Sequence, residues 1–387
     1  MPLVTADTPP TLADATEDQP GARAALSAAL GAPAHAYVFA GPPGSGKRAA
    51  ARAFAAELLA AGAAEPDDTR RRALADPSPH PDLVWLAPQG TQHLVDEVRE
   101  RVIVAAAYRP FEGARRVFVI EAAEAMADEG QNALLKTLEE PAPFVHLVLI
   151  TSEPAALLET VRSRCQAVRF APLGAEAVEA RLAELGLGTG EEERRAVARL
   201  AGGDTDRAAF LLGEQGRELR GGAQACVQAA LSGELADAPW QGLLAAAEAA
   251  GVQAGDAARA RLEALAADAG EGEGTRARRH SRETEETARR AARRARTEAL
   301  DLALALIAAW LRDLAAVAEG AERLVLSSDR VEEVRAAAAM AGGLDARRAL
   351  AGAELVMETR RRLGVNVGEE LALEALVFRL ESLLRDA

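Results

Sequence analysis

The sequence predicts a parallel α/β domain over residues 21–171, followed by a small helical segment over 172–213 and a larger helical region over 214–387. In the first part, short apolar runs alternate with helix-like stretches, a pattern typical of a parallel sheet with flanking helices. The remainder is alanine-rich, and only 3% of all residues are aromatic, which favours long helices over a second sheet. The predicted strands are 37–40, 83–86, 117–120, 147–151 and 168–170.

Turn residues and composition mark the borders of the other parts. Pro172 opens the small segment, and three glycines between 186 and 190 form its turn. The sequence Gly-Glu-Gly-Glu-Gly at 270–274 predicts a flexible linker inside the larger region. Residues 1–20 lack the positive and apolar stretches of a signal peptide, and we predict a disordered tail there. The helices predicted in the small segment are 175–185, 191–201 and 204–212.

A glycine-rich loop follows the first predicted strand. Residues 41–47 read Gly-Pro-Pro-Gly-Ser-Gly-Lys, and the alanine-rich stretch 49–61 predicts a helix directly after them. Glycines let the backbone turn tightly and direct N–H groups at a phosphate, which would lie at the helix N-terminus. Strand, loop and helix together predict a P-loop. The predicted phosphate-binding residues are Gly41, Gly44, Gly46 and Lys47.

Two positions that hydrolysis requires carry unsuitable residues. A hydrolysing P-loop has Ser or Thr after the lysine, because that hydroxyl ligates magnesium, whereas this chain has Arg48. The strand 117–120 ends in Glu121, which is where such sites place a metal-binding acid. The next position normally holds the glutamate that polarises water, and here it is Ala122. We therefore predict a site that can hold ATP without hydrolysing it, although a core strand that ends in an exposed glutamate also explains Glu121.

Three further stretches carry a more specific pattern than the P-loop. Residues 35–42 read His-Ala-Tyr-Val-Phe-Ala-Gly-Pro, residues 132–141 read Asn-Ala-Leu-Leu-Lys-Thr-Leu-Glu-Glu-Pro, and residues 162–165 read Arg-Ser-Arg-Cys. With these segments the chain resembles the clamp-loader subunits of bacterial DNA polymerase III, most closely the delta prime type. The resemblance extends over about residues 20–215.

The resemblance implies a fold and an assembly. It implies an AAA+ module over 21–171, a helical lid over 172–213 and a helical collar over 214–387. It also implies a place beside gamma/tau and delta subunits in a cytoplasmic ring that loads a sliding clamp onto primed DNA. In this family the Ser-Arg-Cys segment carries an arginine finger that acts on the nucleotide of a neighbouring subunit. The resemblance implies that the finger of this chain is Arg164. Without the resemblance, Arg164 would be interpreted as an arginine on a loop before a strand.

Two more nucleotide-site residues follow from the resemblance. Thr151 ends the strand 147–151, where the family has a polar sensor, although a hydroxyl there can equally cap the strand end. Arg207 closes the segment Gly-Asp-Thr-Asp-Arg, which resembles the basic sensor of the lid.

No metal site is expected. Many clamp-loader modules hold zinc with four cysteines between the P-loop helix and the second strand. This chain has only Cys165 and Cys226, both outside the corresponding interval 58–82, and zinc needs about four N or S ligands. The nearby His80 and His93 are predicted to be surface residues of a loop and a helix.

Charge and composition exclude several other classes of protein. A net charge of −14 opposes a DNA-binding protein that works alone. The two cysteines predict no disulfide framework, and no apolar run approaches the ~20 residues of a membrane span. Residues 276–296 contain nine arginines, but Glu285 and Glu286 precede Arg289 and Arg290 by four residues, which favours a solvated helix with internal ion pairs.

Two functional classes remain open. In the first, the chain is a non-hydrolysing clamp-loader subunit that donates Arg164 to a neighbour. In the second, it is an active ATPase motor, either a gamma/tau-like subunit or an unrelated AAA+ enzyme. Arg48 and Ala122 favour the first class, because two separate parts of the hydrolytic machinery are missing.

Overall fold

The computed structural model describes residues 11–75, 78–88, 92–268, 275–340, 345–363 and 368–385. The chain divides into two compact units, Met1–Leu173 and Gly174–Ala387. This division lies two residues after the predicted border between 171 and 172. The second predicted border, between 213 and 214, does not separate compact units and stays a prediction. The predicted linker at 270–274 lies outside the described residues.

The first unit is built on a parallel five-stranded sheet, as the sequence predicts. The strand order is β2-β3-β4-β1-β5, and every neighbouring pair is parallel. β1 therefore lies between β4 and β5. The strands are β1 (Ala36–Ala40), β2 (Leu83–Leu86), β3 (Arg116–Ile120), β4 (Val145–Thr151) and β5 (Gln166–Arg169).

Helices cover both faces of this sheet. A π-helix, Arg99–Val104, continues directly from α5 (Val95–Val98). Short 3₁₀ helices occupy Ala123–Ala125 and Pro154–Ala156. The α-helices are α1 (Leu12–Ala15), α2 (Pro20–Gly31), α3 (Lys47–Ala60), α4 (Pro66–Leu74), α5 (Val95–Val98), α6 (Asp128–Glu139) and α7 (Glu159–Arg162).

Alternate side chains of β1 enter two separate cores. Tyr37 and Phe39 pack on one face with Phe54 of α3, and the ring centroids of Tyr37 and Phe54 lie 5.0 Å apart. Ala36 and Val38 point into the core on the other face. A strand buried on both faces reads as a continuous apolar run, which explains why the strands were recognisable from sequence.

The predicted disordered tail is wrong for residues 11–20. Thr11 caps α1: its Oγ1 accepts the N–H of Asp14 at 3.2 Å, and the Asp14 carboxylate accepts the N–H of Thr11 at 2.8 Å. Gln19 is buried, and its amide exchanges hydrogen bonds with the backbone of Ala171 at 2.7 and 2.9 Å. Polar capping residues were mistaken for a sign of disorder. Residues 1–10 lie outside the described part of the chain.

The second unit is helical throughout its described residues. The long helix α13 (Thr275–Ala318) packs against α12 (Trp240–Asp268) and α15 (Ala346–Leu363). Short 3₁₀ helices at Glu322–Leu324 and Ser328–Arg330 follow α13. The α-helices are α8 (Ala175–Glu184), α9 (Glu191–Leu200), α10 (Thr205–Leu212), α11 (Glu214–Ser232), α12 (Trp240–Asp268), α13 (Thr275–Ala318), α14 (Val331–Met340), α15 (Ala346–Leu363) and α16 (Glu369–Arg385).

The arginine-rich part of α13 carries ion pairs, as the spacing of its glutamates and arginines predicted. Arg289 pairs with Glu285 at 3.3 Å. Arg296 lies 2.8 Å from Glu248 and 2.6 Å from Glu369. Carboxylates thus offset part of the positive charge of this helix. None of the described helices is both long enough and apolar enough to cross a bilayer.

Three buried histidines correct the prediction that His80 and His93 lie on the surface. Their exposed fractions are 3% and 5%, and that of His146 is 3%. The imidazoles pair with backbone groups: His80 Nδ1 accepts the N–H of Asp82, and His146 Nδ1 lies 2.8 Å from the carbonyl of Ala34. Burial lowers the pKa of all three.

These histidines predict a loss of stability in mild acid. Their folded-state pKa values lie below the unfolded value of 6.5, so below pH 6.5 the unfolded chain binds more protons than the folded chain. The free energy of unfolding should fall by up to about 3 kcal/mol between pH 6.5 and 5.5 if all three stay neutral when folded. Urea denaturation at pH 7.5, 6.5 and 5.5 measures this, and a constant midpoint would contradict it.

Candidate nucleotide-binding site and Arg164

The P-loop lies at the carboxyl end of β1. It connects β1 to α3, which begins at Lys47, so the predicted order of strand, loop and helix is confirmed. Gly44 and Gly46 have φ values of 67° and 83°, in the left-handed region that glycine tolerates best. Gly46 forms the N-cap of α3, so the first N–H groups of the helix follow the loop directly.

Gly41 is needed for a different reason. A Cβ at this position would lie 2.4 Å from the carbonyl oxygen of Phe170, at the end of β5. The two neighbouring segments are held together there by a 2.8 Å hydrogen bond from the Phe170 N–H to the Ala40 carbonyl. Gly41 therefore permits close approach of two strand ends, whereas Gly44 and Gly46 shape the loop itself.

The Lys47 ammonium is directed into its own loop. The side chain is buried, and Nζ donates to the carbonyls of Gly41 and Pro42 at 2.7 and 2.5 Å and to the hydroxyl of Ser45 at 3.3 Å. A phosphate at this loop would have to exchange with these partners. The loop has the residues of an anion site, but its cation already has hydrogen-bond acceptors.

Arg48 pairs with the acid that would bind a metal. Its Nε lies 3.4 Å from Oε2 of Glu121, which follows β3. The same oxygen accepts the indole N–H of Trp85 at 3.0 Å. Arg48 and Arg52 also lie over the Trp85 ring, with guanidinium carbons 6.0 and 4.5 Å from its centroid. Glu121 is thus engaged by a cation of the protein itself.

These residues do not fit magnesium. Magnesium prefers an octahedral set of oxygen ligands and is held in P-loop sites by a hydroxyl and an acid. Here a guanidinium stands in place of the hydroxyl and is paired with the acid. No catalytic step that depends on magnesium can be assigned to this set of side chains.

The position after Glu121 is strained and chemically inert. Ala122 has φ 49° and ψ 56°, a left-handed conformation that is uncommon for alanine. Its methyl group can neither accept a proton nor orient a water. The turn is anchored by His93, whose Nε2 lies 2.7 Å from the Glu121 carbonyl. Because a carbonyl only accepts, Nε2 carries the proton. Sequence analysis missed His93, since nothing in its neighbourhood distinguishes it from a helix-surface histidine.

Thr151 lies next to the P-loop strand, where the sequence placed it. It is buried and paired in register with Ala40. Its hydroxyl accepts the N–H of Glu153 at 3.1 Å, which is the geometry of a strand-end cap. The sensor role stays a prediction. Arg207 belongs to the second unit, on α10, where its backbone N–H bonds the capping Asp204, and its sensor role also stays a prediction.

Arg164 lies at the opposite edge of the sheet from the P-loop. It follows α7 and precedes β5, whose first residue, Gln166, is in register with Tyr37 near the start of β1. The P-loop begins four residues further along β1, roughly 13 Å away at ~3.3 Å per residue. Arg164 therefore cannot reach the P-loop of its own chain.

The Arg164 side chain is partly exposed and held by α6. Its Nη2 lies 2.5 Å from Oε1 of Glu139, and its Nη1 donates to the Thr160 carbonyl at 2.9 Å. The side chains of Arg164 and Glu139 are 35% and 48% exposed. Arg162 is the last residue of α7.

The comparisons with known proteins agree with this architecture. Residues 23–174 match the model of the family described as "DNA polymerase III, delta subunit". The first unit is delta prime-like. This confirms the resemblance that the sequence motifs predicted.

Curated relatives show how far the likeness extends. The chain is 43% identical over 141 residues to DNA polymerase III subunit delta' of Pseudomonas aeruginosa, which is 34% of this chain and 42% of the relative. It is 36% identical over 152 residues to the Bacillus subtilis subunit of the same name, which is 39% of this chain and 46% of the relative. The matches thus span less than half the length of these relatives.

The same part of the chain is similar to a second kind of subunit. It is 35% identical over 158 residues to DNA polymerase III subunit gamma/tau of Mycobacterium tuberculosis, which is 39% of this chain and 27% of the relative. Identity over the delta prime-like unit alone therefore does not separate the two functional classes, and the site residues must do so.

No metal cluster occurs in the part of the chain that the structure describes: no group of three or more His, Cys, Asp and Glu side chains there could hold an ion. The absence of zinc stays a prediction. Burial raises the pKa of both Cys165 and Cys226 to about 12, so these thiols remain protonated at neutral pH.

The strain at Ala122 predicts that replacing this alanine by glycine changes the free energy of unfolding in the opposite direction to the usual one. Alanine to glycine normally destabilises, by about 1 kcal/mol inside a helix. Ala122→Gly should leave the free energy of unfolding unchanged or raise it by up to about 1 kcal/mol, because glycine is not strained at φ 49°. Ala133→Gly, inside α6, is the control and should lose about 1 kcal/mol. Equal losses in both variants, measured by urea denaturation, would contradict this interpretation.

Proposed function

We propose that this chain is a delta prime-like subunit of a DNA polymerase III clamp loader, that it does not hydrolyse ATP, and that it donates Arg164 to the nucleotide of a neighbouring subunit. The observation that carries the proposal is the position of Arg164 at the sheet edge opposite its own P-loop. An arginine so placed can act on a phosphate only if another chain supplies that phosphate.

The chemistry of an arginine suits this role. A guanidinium stays protonated and offers a rigid fork of donors to phosphoryl oxygens in the transition state. The contact with Glu139 holds the Arg164 fork at the surface. Such an exposed pair contributes only ~0–1 kcal/mol, so an incoming phosphate can displace it at low cost.

The residues at the P-loop support the proposal that this chain does not hydrolyse ATP. Arg48 is paired with Glu121, and Ala122 cannot act as a base. The site retains Lys47 and the glycine loop, so binding of ATP without hydrolysis is compatible with its residues. The proposed partners are gamma/tau and delta subunits, the sliding clamp and, through the assembled ring, primed DNA, all in the cytoplasm.

The second candidate is a gamma/tau-like ATPase. The intact Lys47 and the similarity to gamma/tau subunits favour it. Arg48 and Ala122 oppose it, because each removes a different part of the hydrolytic machinery. ATP turnover by the isolated chain distinguishes the two candidates.

We expect no ATP hydrolysis by the purified chain. Release of inorganic phosphate should equal the rate without protein, with magnesium present and with or without primed DNA. Lys47→Ala is the control, because it removes the P-loop cation while α3 remains. Turnover that Lys47→Ala abolishes would overturn the non-hydrolysing role and favour the ATPase candidate. Binding of ATP without turnover agrees with the proposal.

Arg164→Ala should impair a reconstituted loader while leaving assembly intact. An arginine finger supplies ~10³–10⁵ in kcat at the site it serves. The total DNA-stimulated ATPase should fall by less, because other subunits keep their own fingers, and clamp loading should fall more. Arg164→Lys should restore little, since an ammonium lacks the planar fork.

Arg162→Ala provides a matched control for that experiment. Arg162 is an exposed arginine two residues away, at the end of α7. This variant should load clamps at the wild-type rate. If Arg164→Ala also does so, Arg164 is an ordinary loop arginine and the trans-acting role is wrong.

A further inference from the structure

A small cavity in the second unit is lined by four residues that carry hydrogen-bond donors and by the apolar residues Leu200, Ala223 and Leu306. Arg220, Trp310, Ser327 and Arg330 contribute its polar groups. The cavity offers about 10 Å³ to the centre of a water-sized particle. This is about the space that one water or one monatomic anion occupies.

The charge of Arg220 is compensated within the protein. Arg220 projects from α11 and is buried, and its Nη2 lies 2.7 Å from each carboxylate oxygen of Asp329. A buried guanidinium bound to a carboxylate in this way forms a neutral pair. Arg220 and Asp329 together therefore leave no net charge beside the cavity.

The charge of Arg330 is not compensated in the same way. Its Nη1 donates to the neutral amide oxygen of Gln224 at 2.9 Å. Within the described part of the chain, no carboxylate lies within 4 Å of its guanidinium. Asp329, Glu333 and Glu193 favour its charge only from greater distances, and Arg220 and burial oppose it. Arg330 thus lies next to the cavity without a carboxylate in direct contact, whereas the buried Asp313 carboxylate accepts the N–H groups of Leu326 and of the cavity-lining Ser327.

Trp310 supplies the second, independent observation. It lies on α13, lines the cavity and is only 4% exposed. Its Nε1 is buried and has no acceptor among the residues that the structure describes. Buried N–H groups almost always have a partner, because leaving one unpaired is costly.

We propose that this cavity binds one monovalent, monatomic anion of the chloride class. An anion accepts hydrogen bonds from several donors and offsets the charge of Arg330. A water could accept the Trp310 N–H, but it would not offset the charge of Arg330. A phosphate or sulfate is too large for the space. The anion would link residues from α11, α13 and the 3₁₀ helix Ser328–Arg330, and so stabilise the packing of the second unit.

Chloride-dependent thermal stability of the full chain tests this site. The melting temperature is measured in sodium chloride diluted with sodium gluconate at constant ionic strength. Wild type should gain roughly 3–5 °C per tenfold increase in chloride above the dissociation constant, and bromide should act alike. Equal melting temperatures in chloride and gluconate would overturn the proposal.

Variants locate the effect. Trp310→Phe keeps an aromatic ring but removes the N–H, and it should flatten the chloride dependence, as should Arg330→Gln. Trp240→Phe is the control, because Trp240 is buried in the same unit against Phe378 and does not line the cavity. It should keep the wild-type dependence. Equal dependence in Trp310→Phe and Trp240→Phe would place the ion elsewhere and overturn the site.

Crystals of the wild-type chain soaked in bromide decide the matter if the variants do not fold. An anomalous peak between Trp310 and Arg330 is expected. A soaked crystal without an anomalous peak in the cavity, or with water density there, would show that the cavity binds water and would overturn the proposal.

Discussion

The parallel arrangement of β1 and β5 is the constraint on which the functional interpretation depends. In a parallel pair, the loop after one strand and the loop before the other lie at opposite edges of the sheet. The P-loop follows β1, and Arg164 precedes β5, so the two are separated by the length of the strands. The proposed trans-acting role of Arg164 rests on this separation.

The contact between Arg48 and Glu121 gives the P-loop of this chain its particular character. A guanidinium at the position of the metal-binding hydroxyl neutralises the acid at the end of β3. The same carboxylate accepts the Trp85 indole N–H, and His93 holds the backbone that carries it. The end of β3 is therefore a closed network of protein groups. Such a network engages the Glu121 carboxylate with groups of the protein itself.

Sequence patterns located the sheet and the loop well because their signals are local. Strands buried on both faces appear as apolar runs, and the glycines at 44 and 46 are required by positive φ at their own positions. The burial of His80, His93 and Gln19 was not predictable in this way. Each is buried by segments distant in sequence: Gln19, for example, bonds to Ala171 across 152 positions. Polar residues buried by such contacts resemble surface residues in a linear sequence.

The sequence by itself determined the parallel α/β class, the glycine-rich loop between strand and helix, the presence of Arg48 and Ala122 beside it and the resemblance that pointed to Arg164. These depend on residue type and short spacing, which the chain carries without folding. Only the tertiary structure decided that Arg48 neutralises Glu121, that Arg164 lies away from its own P-loop and contacts Glu139, and that Arg330 and Trp310 share a cavity. These facts depend on distances between segments far apart in the chain, which the packing of strands and helices sets.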